Sequence, residues 1–199
     1  PGVVIMNNVV AKFGQTGIQF SGDSNRNGDP IVPFGRIINN TIAGTSSAVS
    51  DYGIRVTDYA GPTILNNIVT ASGVGISIDA TSLSRSVSNY NLFQDNTTNT
   101  SAGAAGTFDI SLAAGQPLFV DRANYNFYLA SGSRAIDSSI DSLADRSEMW
   151  PGIKEPLGIP PSPIITPARD RYAQLRDDDP NQAPPSGMGT NIFKDRGAI

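Results

Sequence analysis

The sequence predicts an all-β fold: a solenoid of about four coils of stacked parallel strands over residues 1–116, followed by an irregular Pro-rich tail over residues 117–199. Three observations carry this expectation. A short apolar segment containing an Asn pair recurs through the first part, a second, alternating segment recurs between its copies, and the use of proline changes near residue 116.

The first recurring segment is Ile5-Met6-Asn7-Asn8-Val9-Val10, then Ile37-Ile38-Asn39-Asn40-Thr41-Ile42, then Ile64-Leu65-Asn66-Asn67-Ile68-Val69, then Ser88-Asn89-Tyr90-Asn91-Leu92-Phe93. A strand, a bend at the Asn residues and a second strand follow from this composition, because Asn tolerates left-handed backbone and bonds to nearby main chain. Asn8, Asn40, Asn67 and Asn91 align and are expected to stack as a structural ladder, each amide donating to one neighbour and accepting from another. The second segment is Gly17-Ile18-Gln19-Phe20, Gly53-Ile54-Arg55-Val56 and Gly75-Ile76-Ser77-Ile78. Its alternation places the Ile, Phe and Val residues inside, and points Gln19, Arg55 and Ser77 outward. One coil cannot bury its apolar face alone, so the stack is the folding unit.

Four of the 14 prolines lie in residues 1–116 and ten in 117–199; six fall between Trp150 and Pro167, which excludes a helix or central strand there. The tail is therefore expected to pack on the last coil as a cap. Phe119, Phe127, Leu129, Ile136 and Trp150 would supply its apolar contacts, and Asp121, Arg134, Asp137 and Arg176 would tie it down.

The pattern Asn-Asn-x-Ile/Val followed by Gly-Ile-x-Phe/Val/Ile resembles the repeat of the pectin-lyase-like family, which implies a right-handed single-stranded parallel β-helix. The tail strings Pro117-Leu118-Phe119-Val120-Asp121, Tyr125-Asn126-Phe127-Tyr128-Leu129, Gly132-Ser133-Arg134-Ala135-Ile136-Asp137 and Asp195-Arg196-Gly197-Ala198-Ile199 are similar to the closing segment of large bacterial surface β-helix proteins, where that segment lies across the final coil. The resemblance implies an extracellular or cell-surface location, with the rest of a longer parent chain and a polysaccharide or cell-surface glycan as partners. No signal peptide is visible within these residues.

Chemistry is bounded by what is missing. There is no His and no Cys, so His-dependent triads, thiol nucleophiles and zinc–thiolate centres are excluded. A net charge of −4 argues against a nucleic-acid partner, and no apolar run approaches the roughly 20 residues that insertion across a bilayer requires. Pectin-lyase-like enzymes act along an outer sheet face; here the outward column of Gln19, Arg55, Ser77, Ser21, Thr57 and Asp79 offers one Arg and one Asp rather than a convergent carboxylate pair. No catalytic residue is assigned, and an Arg55–Asp79 surface ion pair is expected. Arg55, Tyr59 and Asp79 are the candidate glycan-binding residues, with Tyr52 beside them. Asp23, Asn25, Asn27 and Asp29 match the first half of an oxygen-rich Ca²⁺ loop, the only cofactor the sequence suggests, although Phe34 stands where the bidentate Glu belongs. The expected function is a structural or adhesive β-helix end domain that binds glycans; the alternatives are a pectin-lyase-like lyase or hydrolase and a calcium-binding module.

Overall fold

The structure, a computed structural model, describes residues 2–25, 35–45, 51–146, 151, 154–181 and 194–199. The chain is all-β and built on three parallel sheets that it visits in turn. The first repeat comprises β1 (Val4–Met6), β2 (Val9–Ala11) and β3 (Thr16–Ser21); the second, β4 (Arg36–Ile38), β5 (Thr41–Ala43) and β6 (Tyr52–Thr57). The third holds β7 (Thr63–Leu65), β8 (Ile68–Thr70) and β9 (Val74–Ile78), with the short helix α1 (Ala80–Leu83) after it. The fourth holds β10 (Val87–Asn89), β11 (Leu92–Gln94) and β12 (Thr98–Thr100), and β13 (Ile110–Leu112) adds a fifth rung to one sheet. The first sheet stacks β1, β4, β7 and β10; the second β2, β5, β8, β11 and β13; the third β3, β6, β9 and β12. Every pairing among them is parallel, giving a solenoid-like stack of like on like: Ile5 against Ile37 against Ile64, and Ile18 against Ile54 against Ile76.

Strand alternation divides the apolar residues between two cores. Ile37 and Ile64 of the first sheet, Ile42, Val69 and Phe93 of the second, and Ile54, Val56 and Ile76 of the third meet in the interior. Each such side chain contributes about 1.5–3 kcal/mol on removal from water. The neighbouring positions Ile38, Leu65, Ile68 and Leu92 point outward, yet they are as buried as the inner set. They form a second core with Leu118, Ala135 and Ile164 of the tail.

The tail itself carries two short antiparallel pairs, β14 (Phe119–Asp121) with β15 (Asn126–Leu129), and β16 (Ser142–Leu143) with β17 (Ile164–Ile165). Its contacts do not fall on the last coil alone, as the sequence suggests, but run along the flank of all four. The Asn7 side chain donates to Arg169 O, Asn39 to Asp195 O and Asn66 to Ile140 O, while Gly197 N–H donates to Asn66 O. The physical reason is the outward apolar column of Ile38, Leu65, Ile68 and Leu92 on the first two sheets, which the tail covers, while Val4 and Met6 of the first rung stay exposed. Of the four expected ties, Asp137 and Arg176 are buried. Asp121 instead caps a local 3₁₀ turn through Asn124, and Arg134 is exposed. Phe127 is buried, Phe119 and Leu129 pack at the margin of the second core, and Trp150 lies outside the described residues.

Candidate functional site

Among the described residues, the tail covers the first two sheets beyond their first rung and leaves the outer face of the third open. Gln19, Arg55 and Ser77 stand in register across β3, β6 and β9, and Ser21 pairs with Thr57. Gln19 Nε2 donates to Thr57 Oγ1 at 3.2 Å, and the Ser21 and Thr57 hydroxyls both donate to Asp58 Oδ2, at 3.0 and 2.8 Å. This is a continuous strip of hydroxyl, amide and carboxylate groups at one edge of the face.

The three candidate glycan residues do not converge. The Arg55 guanidinium lies 4.8 Å from the centre of the Tyr52 ring, forming a cation–π pair with the first residue of its own strand. Tyr59 instead receives Arg85, at 5.6 Å. Asp79 is the N-cap of α1: its Oδ1 accepts from Thr81 Oγ1 and Ser82 N, both at 2.8 Å, and its Oδ2 accepts from Asp58 N at 2.9 Å. Burial pulls its carboxyl upward, but these hydrogen bonds outweigh it and hold the pKa below the ordinary aspartate value. The expected Arg55–Asp79 ion pair is therefore absent among the described residues, since each partner is better served locally. Asp79 is a structural residue, and the polar centre of the open face is Arg55 with Tyr52.

In the candidate Ca²⁺ loop, Asp23 Oδ1 accepts from both the backbone N–H and the side-chain amide of Asn25, at 2.9 and 3.0 Å, a local turn. Asn27 and Asp29 lie outside the described residues. Among the described residues no group of three or more carboxylates is arranged to hold a metal ion, and no helix is long and apolar enough to cross a membrane.

The Asn residues form a directional ladder. Asn8 N and Nδ2 donate to Asn40 Oδ1, Asn40 N and Nδ2 to Asn67 Oδ1, and Asn67 N and Nδ2 to Asn91 Oδ1, at 2.9–3.1 Å. Asn91 N then donates to Asp109 Oδ1 at 2.8 Å, which ends the series on an acceptor. The first member of each Asn pair makes the turn itself, with Asn7, Asn39 and Asn66 adopting φ of 51–56° at the left-handed bend between the first two sheets.

Two residues with no sequence signal of this kind are central. Asp109 takes the ladder position 18 residues after Asn91, its other oxygen accepting from Gly106 N. Arg196 is completely buried and donates to three backbone carbonyls, of Asn91, Phe108 and Ser138. Burial lowers its pKa, with Asp109 opposing that shift. Arginine is seldom buried this fully, so composition alone directs attention away from it.

A polar concavity of about 240 Å³ lies in the tail between Tyr128, Gln174, Arg176 and the carboxylates of Asp170, Asp177, Asp179 and Asp195. It stands beside the completely buried Asp137, whose pKa is raised to about 6 by burial and by repulsion from Asp195, Asp178 and Asp179. Compared with known protein families, curated proteins and solved structures, the chain matches none.

Proposed function

We propose that this chain is a right-handed single-stranded parallel β-helix of about four coils, similar in fold to the pectin-lyase-like family, and that it serves as a structural and adhesive end domain of a bacterial cell-surface or secreted protein. The observation that carries the reading is the unequal treatment of the three sheets. The strands β5, β7, β8 and β11 of the first two are buried on both faces, whereas the third presents Gln19, Arg55, Ser77, Ser21 and Thr57 outward. A flat row of hydrogen-bonding groups with a guanidinium and a ring beside it suits an extended polysaccharide. Residues 1–116 form the stack in this reading, and residues 117–199 seal its flank.

Binding without turnover follows from the carboxylates. General acid–base cleavage of a glycosidic bond uses two carboxyl groups roughly 5–10 Å apart, with at least one free to move a proton. Both oxygens of Asp79 are engaged by donors, and Asp58 Oδ2 accepts from two hydroxyls. The test is a glycan microarray combined with a turnover assay on polyuronates and neutral polysaccharides. Retention of an array glycan that falls at least fivefold for Arg55→Ala or Tyr52→Ala, with no reducing or unsaturated ends released, is the expected result. Release of such ends by the wild type and not by Asp58→Asn would replace this reading with an enzymatic one.

A further inference from the structure

Residues 194–199 lie in a groove between the stack and the rest of the tail, and they meet it as a bound peptide meets a receptor. Asp195 O accepts from Asn39 Nδ2 and Arg176 Nη1, Gly197 N donates to Asn66 O, and Ala198 N donates to Thr41 Oγ1, all at 2.9–3.1 Å. The nearest of these partners in the chain, Arg176, is 19 positions away. Arg196 and Ala198 are completely buried.

The receptor half of this contact is held in place by bonds that do not involve the segment. Of the three carbonyls that receive the Arg196 guanidinium, Asn91 O also accepts from Ile110 N, and Asn91 itself is fixed by the ladder. Phe108 O is positioned by the Phe108 N–H on Asn89 Oδ1 and by the ring stacked on Tyr90 at 4.9 Å. Ser138 is anchored by its hydroxyl, which donates to Ala135 O at 2.8 Å. A fork of three carbonyls suits the planar guanidinium and not the single ammonium of lysine. The next position is as selective. Gly197 has φ of 90°, and a Cβ there would stand 2.7 Å from Ile68 Cδ1 and 2.8 Å from Thr41 Oγ1.

We propose that this groove is a peptide-docking site for the sequence Asp-Arg-Gly-Ala, which the chain fills with its own segment and which accepts the same segment from a second copy. Every contact that recognises the segment comes from residues distant in sequence, so recognition is the same whichever molecule supplies it. Exchange of one identical element between copies needs no new interface. A tethered segment has an effective concentration of about millimolar, which keeps the groove filled from within in dilute wild-type protein. The site is separate from the open face that carries Arg55.

The experiment uses full-length Arg196→Ala and Gly197→Ala, whose own segments are impaired, and a fluorescent peptide of residues 194–199 followed by anisotropy. Each variant should bind the peptide at least tenfold more tightly than wild type does, and its melting temperature should rise with added peptide. Peptides carrying Arg196→Lys or Gly197→Ala should bind at least tenfold more weakly. If a variant has no cooperative melt, its recovery on adding peptide supports the proposal and its failure to recover overturns it. Folded variants that ignore the peptide, or that bind the altered peptides equally well, would also overturn it. Wild type refolded at about millimolar concentration, where a neighbour's segment competes with its own, should yield dimers on gel filtration, and Arg196→Ala should not. Monomers alone from wild type would rule out the second copy as occupant.

Discussion

At the scale of single residues, position along the repeat decides what an identical side chain is worth. Asn67 is completely buried and serves the ladder in both directions: its Oδ1 takes two donors from Asn40, and its Nδ2 supplies Ile37 O and Asn91 Oδ1. Asn67→Ala leaves those groups buried without partners, at about 1–3 kcal/mol for each group that water cannot reach. The expected outcome in urea denaturation is a loss of at least about 3 kcal/mol, or no folded protein. Asn8→Ala, at the exposed first rung, should cost under about 1 kcal/mol. Equal losses at the two positions would show that the ladder is not what stabilises the bend.

The glycines of the alternating segment act at the scale of the element. A Cβ on Gly53 would stand 2.6 Å from Gly75 O and 2.2 Å from Val69 Cγ1, and a Cβ on Gly75 would stand 2.5 Å from Asn99 O. Neighbouring rungs approach here more closely than any side chain permits, so the recurrence of Gly before Ile is a packing requirement between rungs. Gly53→Ala must push β6 off its neighbours and is expected to cost about 1–3 kcal/mol, read as a lower denaturation midpoint. The Gly recurrence, the inward Ile, Phe and Val column and the aligned Asn residues are all legible in the sequence because each repeats at a regular place in the chain. Asp109 is not, since the fifth rung presents Asp where the others present Asn, in a segment with no preceding strand of the first sheet. Arg55 and Tyr59 can be named from their sequence neighbourhood, but their separate partners, Tyr52 and Arg85, depend on where the strand ends and the next bend begins.

For the whole molecule, stability depends on how the tail is fastened to the stack. Arg196 joins the fourth rung to the tail through Asn91 O, Phe108 O and Ser138 O, and beside it Gly197 N and Ala198 N reach Asn66 O and Thr41 Oγ1. Arg196→Ala removes the three guanidinium hydrogen bonds and leaves a cavity, so a loss on the order of 4 kcal/mol is expected. Limited proteolysis should then cut first within the tail; first cleavage in the stack would contradict its role as a fastener. The buried acids add an unusual dependence on pH. Asp137, Asp109 and Asp195 all have raised pKa values, burial being the largest cause in each. An acid whose pKa is higher folded than unfolded binds its proton more tightly in the native state. For Asp137 the gain is complete below its unfolded value of 3.8 and disappears as pH rises through about 6. The melting temperature should therefore rise on going from pH 7 to pH 5, and Asp137→Asn should flatten that rise while stabilising the protein at pH 7. A melting temperature that falls over the same interval would mean that other groups govern it.

Periodicity along the chain was enough to establish the strand repeat, the inward column and the Asn positions. Each follows from how a strand alternates and how a bend is satisfied within one coil, and both are local matters. Where the tail lies, which sheet stays open and the complete burial of Arg196 emerged only from the folded chain. Those outcomes depend on contacts between residues up to 169 positions apart, as between Asn7 and Arg176. The outward Ile38, Leu65, Ile68 and Leu92 column shows why: alternation says which side of the strand a side chain leaves, and only the packed molecule says what covers it.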